Sequence, residues 1–145
     1  MLYKIKKMVD LKVEKEIKIR FSEVDSMGVV WHGAYSKYFE DAREAFGDQF
    51  GLSYLYMFEN GFFTPLVSLD FQYKSVIKYG DAVKVIGKFI DTPAAKIIFD
   101  YEIYNITTQK LATTGKSVQA FLDHNYQLLL YPPTFYLEWK KKMKL

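Results

Sequence analysis

Between residues 12 and 24 apolar and charged positions alternate, with Val13, Ile17, Ile19 and Phe21 on one side. A period of two predicts a half-buried strand. Asp25-Ser26-Met27-Gly28 breaks the alternation and reads as a turn. From Gly33 the period changes. Tyr35, Tyr38, Phe39, Ala42, Ala45, Phe46 and Phe50 recur at helical spacing, while Lys37, Glu40, Asp41, Glu44 and Asp48 face the other way. Gly47 and Gly51 are expected to end this helix, and a shorter helix or turn over 53–59 to stop at Asn60-Gly61.

Four further strands are predicted over 63–74, 82–91, 96–105 and 111–123, with turns at Tyr79-Gly80-Asp81, Asp91-Thr92-Pro93 and Thr107-Thr108-Gln109-Lys110. Strands so close in sequence are expected to join by hairpins into an antiparallel meander. Pro132-Pro133 closes the sheet, and Thr134 is placed to cap a short helix from Phe135 to about Lys142. The order predicts an α+β fold: a long central helix wrapped by a curved antiparallel sheet of five to six strands, in one domain over residues 1–145. One helix cannot shield so apolar a sheet, so the strands should curl and a second subunit should complete the cover.

Composition narrows the classes. Half of the 145 residues are hydrophobic and 18% aromatic, which excludes intrinsic disorder but leaves core, ligand pocket and interface all open as uses for the rings. A net charge of +3 is too small for a nucleic-acid footprint. Much of it sits in Lys4-Ile5-Lys6-Lys7 and Lys140-Lys141-Lys142-Met143-Lys144, which read as solvated ends. Cysteine is absent, which removes disulfides, thiolate nucleophiles and Cys-bound zinc, and is consistent with a cytoplasmic protein. The N-terminal residues never run more than three apolar positions without a polar one, so neither a signal peptide nor a membrane span is expected.

The chemistry concentrates in residues 25–43. Asp25, a Gly turn and the His32-Gly33 pair come immediately before the amphipathic helix. Reaction at a carbonyl needs a base or nucleophile aimed at carbon and dipoles aimed at the developing oxyanion. A helix start supplies the dipoles without a side chain, because its first N–H groups have no partner inside the helix. The spacing points to acyl transfer or hydrolysis. No Gly-x-Ser-x-Gly elbow occurs, and His32, Asp123 and His124 lack metal-ligand spacing, so neither a serine nucleophile nor a metal is expected. His124 reads as a surface turn residue, and Glu40 and Glu44 as the solvated face of the helix. Lys74 and Lys78 are candidates to meet an anionic ligand.

Arg20-Phe-Ser-Glu-Val-Asp25-Ser-Met-Gly28-Val-Val-Trp-His32-Gly-Ala-Tyr35, then Tyr38-Phe39-Glu40-Asp41-Ala42-Arg43, resembles the hotdog-fold acyl-CoA thioesterases of the 4-hydroxybenzoyl-CoA thioesterase type. It is most similar to the subgroup associated with the Tol–Pal envelope system. Phe71-Gln-Tyr73 with the Gly80-Asp81 turn, and Leu111-Ala112-Thr-Thr-Gly115, resemble the family's later strands, so that the likeness covers residues 13–140. The resemblance implies that Asp25 is the catalytic carboxylate and that the thioester carbonyl is held by the backbone N–H of His32 or Gly33; His32 is the second catalytic candidate, as a positioner of substrate or water rather than an acid, because a thiolate leaving group needs little acid help. Close relatives often carry Tyr where this chain has Phe21.

The resemblance implies hydrolysis of acyl-CoA thioesters, with no cofactor beyond the coenzyme A of the substrate, by a homodimer or homotetramer. Asp25 would act as general base or as nucleophile, either of which needs its carboxylate ionised. Trp31, Tyr35 and Phe63 are the candidates to line the acyl site. An acyl-carrier-protein thioester is an alternative substrate; a hydratase or dehydratase and a non-catalytic acyl-CoA sensor are alternative functions.

Overall fold

Alternation becomes a sheet whose inner face is largely apolar, with Asn105, Thr113 and Ser117 buried among the hydrophobic side chains. Strands β1 (Lys12–Lys18), β3 (Leu66–Tyr73), β4 (Ala82–Ile90), β5 (Lys96–Asn105) and β6 (Lys110–Ala120) form one five-stranded antiparallel sheet in the order β1-β4-β5-β6-β3. A two-residue pair, β2 (Phe62–Phe63) with β7 (Leu122–Asp123), extends one end. This computed structural model describes residues 11–145, so the Lys4-Ile5-Lys6-Lys7 cluster lies outside the described residues.

Helix α1 (Tyr35–Phe50) lies across the inner face and buries Tyr35, Tyr38, Phe39, Ala42 and Phe46 against Val83, Val85, Phe99, Tyr101 and Ile103. Phe39 sits between two rings, stacked on Tyr101 at 4.1 Å and on Phe71 at 4.9 Å. Gly115 of β6 lies beneath Phe39, where a Cβ would collide with the ring and with the Asp70 carbonyl. The helix thus approaches the sheet closely because one strand lacks a side chain. Two short helices, α2 (Tyr54–Glu59) and α3 (Thr134–Lys142), close the ends; Trp139 of α3 is buried and donates to the Phe50 carbonyl at 2.7 Å.

Several expected boundaries move, each for a local reason. The first strand stops at Lys18, and Phe21–Glu23 is a 3-10 turn that turns Phe21 outward to 78% exposure and Glu23 inward to 4%. Gly47 lies inside α1, where a Cβ would stand 2.8 Å from the Leu52 carbonyl oxygen; Gly51, at φ 74, is the terminator. Pro65 interrupts the expected strand 63–74, and 111–123 breaks at Phe121. Thr134 is the first residue of α3 and makes no side-chain cap.

Topology departs from a simple meander. Only β4, β5 and β6 follow one another as hairpin neighbours, whereas β3 pairs with β6 and β4 with β1. The connection from β3 to β4 therefore crosses the structure, and on its way it binds the loop after β1. Val30 N–H donates to Ile77 at 2.8 Å, and Tyr79 N–H to Gly28 at 3.0 Å. Ile77 is fully buried.

Candidate functional site

The Asp25 loop is a tight hairpin. Val24 bridges Val30, Asp25 N–H donates to the Val29 carbonyl at 2.9 Å, and Gly28, at φ 75, donates back to the Asp25 carbonyl at 2.9 Å. A positive φ at Gly28 is what lets so short a loop close. One carboxylate oxygen of Asp25, Oδ1, accepts the Met27 N–H at 2.9 Å; the other accepts nothing within the described residues, and the side chain is exposed. The return leg runs from the rung at Asp25 and Val29 through the pairs Val24–Val30 and Glu23–Trp31 to His32.

His32–Ala34 is a 3-10 turn that leads into α1. Ala34 N–H is used by the Trp31 carbonyl at 3.0 Å, whereas the N–H groups of His32 and Gly33 meet no acceptor within the described residues. These are the unpaired donors that a helix start provides. The Trp31 indole covers Gly33 where a Cβ would project, and stands edge-on to the His32 ring at 5.4 Å. From β3 the Tyr73 hydroxyl donates to the His32 carbonyl at 2.9 Å. Tyr73 also meets the buried Tyr35 ring at 5.0 Å, and burial pushes the Tyr35 phenol above its ordinary range.

A depression of about 290 Å³ opens here, lined by Val30, His32, Tyr35, Tyr73, Lys74 and Ser75 with Val76 at its rim. Of the residues expected at the site, His32 and Tyr35 line it together with Lys74; Trp31 and Gly33 flank His32 in the chain, and Asp25 stands at the tip of the hairpin that leads into it. Phe63 does not line it. It packs on Phe58 and on exposed His124 at 4.8 Å, and lines a larger cavity of about 800 Å³ beside α1 with Glu40, Arg43 and Glu44. Phe21, in the place where relatives often have Tyr, rests edge-on against Tyr79 at 5.9 Å. Among the described residues, no group of His, Cys, Asp and Glu could hold a metal ion.

Two residues of the region were not singled out by sequence. Tyr73 is one. Glu23 is the other: its Oε1 accepts the Arg20 N–H at 2.8 Å and the Tyr38 hydroxyl at 3.1 Å, while its carbonyl accepts the Trp31 N–H at 3.0 Å. Glu23 thereby joins the end of β1, helix α1 and the return leg of the hairpin. The Tyr38 phenol is pushed up by burial and by the neighbouring Glu23 carboxylate, so it stays a proton donor. Alternation does not find Glu23, because the 3-10 turn at Phe21–Glu23 ends the period of two and turns Phe21 outward as it turns Glu23 inward.

A carboxylate with one oxygen free, on a hairpin that leads into two unpaired helix-start donors, supplies the two kinds of group that attack on a carbonyl needs. Comparison with known proteins gives the family. The sequence profile of the thioesterase-like superfamily matches residues 19–139. The chain belongs to that superfamily. It is 34% identical over 92 residues to YneP of Bacillus subtilis (strain 168), classed by name among acyl-CoA thioesterases, covering 63% of this chain and 67% of that one. It is 28% identical over 119 residues to the chloroplastic acyl-acyl carrier protein thioesterase ATL3 of Arabidopsis thaliana, covering 82% of this chain but 63% of the relative. Its fold superposes on the DHNA-CoA thioesterase of Staphylococcus aureus with a TM-score of 0.81 at 30% identity, across 92% of this chain and 91% of that one. The hotdog architecture expected from the sequence is thus the observed one. No helix among the described residues is long and apolar enough to cross a membrane.

Proposed function

We propose that this chain hydrolyses acyl thioesters of coenzyme A, with Asp25 as general base or nucleophile and the N–H groups of His32 and Gly33 as the oxyanion donors. The observation that carries the reading is the hairpin that returns from Asp25 straight into a helix start with two unpaired N–H groups. A thioester is already activated, so a carboxylate and two dipoles suffice: water loses a proton to Asp25, or Asp25 attacks and water opens the mixed anhydride. The thiolate leaves without an acid, which assigns His32 to positioning. Coenzyme A enters as part of the substrate and no other cofactor is required; an acyl-carrier-protein thioester is the alternative substrate, supported by the likeness to ATL3.

The reading includes a homo-oligomer. Asp25 is exposed and the depression beside His32 is shallow for an acyl group on pantetheine. Strand β3 is the edge of the sheet and leaves Leu66 and Val67 exposed, an arrangement that pairing with a second copy would bury. Mass in solution checks this part. A cytoplasmic location belongs to the same proposal, with the absence of cysteine as its support.

Thiol release from short, long and aromatic acyl-CoAs, measured beside Asp25→Asn, tests the reading. Turnover lost by about 1000-fold or more in a folded Asp25→Asn protein is the expected outcome. Equal turnover in both proteins would move the carboxylate to Glu40 or Glu44, which line the larger cavity. Absence of release by the wild type from these acyl-CoAs and from acyl-carrier-protein thioesters alike would sink hydrolysis altogether.

A further inference from the structure

The oxyanion donors assigned above sit on peptides whose orientation something must hold. The peptide joining His32 to Gly33 is trans, and a trans peptide is planar with its C=O and N–H antiparallel. Whatever fixes the direction of the His32 carbonyl therefore also aims the Gly33 N–H, the opposite way. The partner that reaches that carbonyl from outside the helix is the Tyr73 hydroxyl, at 2.9 Å and from a strand 41 residues away. The next peptide is held by a different group, since Ser36 Oγ donates to the Gly33 carbonyl at 3.2 Å.

We propose that Tyr73 is a positioning residue for the oxyanion hole: by donating to the His32 carbonyl it aims the Gly33 N–H at the thioester carbonyl and strengthens it as a donor. The inference rests on the thioester-hydrolysis reading and deepens it. Two physical effects combine. The rigid peptide plane converts a hydrogen bond on one side into a fixed direction on the other. A bond accepted by the carbonyl also polarises the peptide, so its N–H becomes a stronger donor. Such a contribution grows as negative charge develops on the substrate oxygen, so it belongs to the transition state more than to the bound substrate.

The ring of Tyr73 is held independently of its hydroxyl. It stacks on Phe71 at 5.9 Å and meets Tyr35 edge-on at 5.0 Å. Partial burial pushes its phenol up, so the group is a protonated donor at neutral pH. Tyr73→Phe therefore removes the hydrogen bond and leaves the packing in place.

The expected result is a fall in kcat of about tenfold, below the roughly 100- to 1000-fold typical of deleting an oxyanion donor outright, with KM changed less than about twofold. Tyr104→Phe, on the opposite side of the sheet, is the control and keeps wild-type kinetics. A readout that mere structural support would not move is the infrared stretch of a ¹³C-labelled thioester carbonyl bound to Asp25→Asn, where turnover is suppressed. Adding Tyr73→Phe should shift that band back towards its frequency in weakly bonding surroundings. An unchanged kcat and an unchanged band, in a wild type that turns over, overturn the inference and leave the hydrolysis reading standing. A rise in KM with kcat intact also overturns it, because the hydroxyl would then serve binding alone. No thiol release by the wild type from acyl-CoAs and acyl-carrier-protein thioesters alike overturns both.

Discussion

Removing the Glu23 carboxylate should uncouple the hairpin from the helix that it serves. Glu23 is 4% exposed, and one oxygen takes both the Arg20 N–H at 2.8 Å and the Tyr38 hydroxyl at 3.1 Å. Glu23→Ala leaves two donors without their acceptor, each costing roughly 1–3 kcal/mol when water cannot reach it. Lost packing of two methylene-sized groups adds about 1 kcal/mol. Water entering the space left behind offsets part of this, so a net loss of about 3–5 kcal/mol is expected. That is a large share of the roughly 5–15 kcal/mol that holds a domain folded.

Glu23→Gln makes the comparison diagnostic. Its amide oxygen can stand where Oε1 stands and accept from both donors, so the loss should stay near 1 kcal/mol. Urea denaturation gives the two stabilities, and hydrogen exchange over residues 24–31 reports whether the loop loosens before the sheet does. Thiol release by Glu23→Gln should stay within about threefold of wild type, while folded Glu23→Ala loses at least tenfold as the return leg to Trp31 relaxes. Alanine and glutamine variants of equal stability would refute the reasoning, since the two acceptor bonds would then carry none of the loss.

Two further perturbations follow from the same packing. Gly33→Ala drives a methyl group into the Trp31 indole, so the ring must swing outward; we expect a red-shifted, more quenchable Trp31 emission and reduced turnover in a folded protein. An unmoved emission spectrum would show that the indole does not rest on Gly33. At alkaline pH, burial pushes the Tyr101 and Tyr136 phenols well above the ordinary value near 10. The unfolded chain then releases these protons first, so stability holds below about pH 10 and falls above it, by about 1.4 kcal/mol per pH unit for each phenol. Urea midpoints between pH 9 and 11 check this, and Tyr136→Phe should flatten the fall by no more than about a third, because burial raises the Tyr38 phenol too, and those of Tyr35 and Tyr73; a flat wild-type profile contradicts it.

What could be read from sequence alone divides along the range of the interactions involved. Alternation located β4 and β5 because Val83, Val85, Ile97, Phe99, Tyr101 and Ile103 all face one core. Helical spacing located α1 for the same reason, since one continuous stripe meets one continuous sheet. Pairing order was not legible: β3 and β4 are joined by a short segment, yet they lie on opposite sides of the sheet because that segment is committed to the hairpin at Gly28 and Val30. Local patterns describe how a strand faces its core and carry no information on which neighbour it takes.

The candidate site shows the same division at the scale of single atoms. Asp25, His32 and Gly33 stand within one short stretch, so a turn followed by a helix start was enough to mark them. Tyr73 and Glu23 act through contacts that span 41 and 15 residues, and their residue types are ordinary for a strand and a charged loop. Their placement follows from geometry that the fold imposes. Strand β3 must end beside the start of α1 for Tyr73 to reach a carbonyl, and the 3-10 turn must exchange Phe21 for Glu23 on the inner side for the hairpin to be anchored. A reacting carboxylate can stay exposed and mobile until substrate arrives, whereas a peptide dipole works only if its direction is fixed beforehand. The reach of the supporting contacts follows from that difference: Asp25 is held by its own loop, and the His32–Gly33 peptide by a strand from the far side of the sheet.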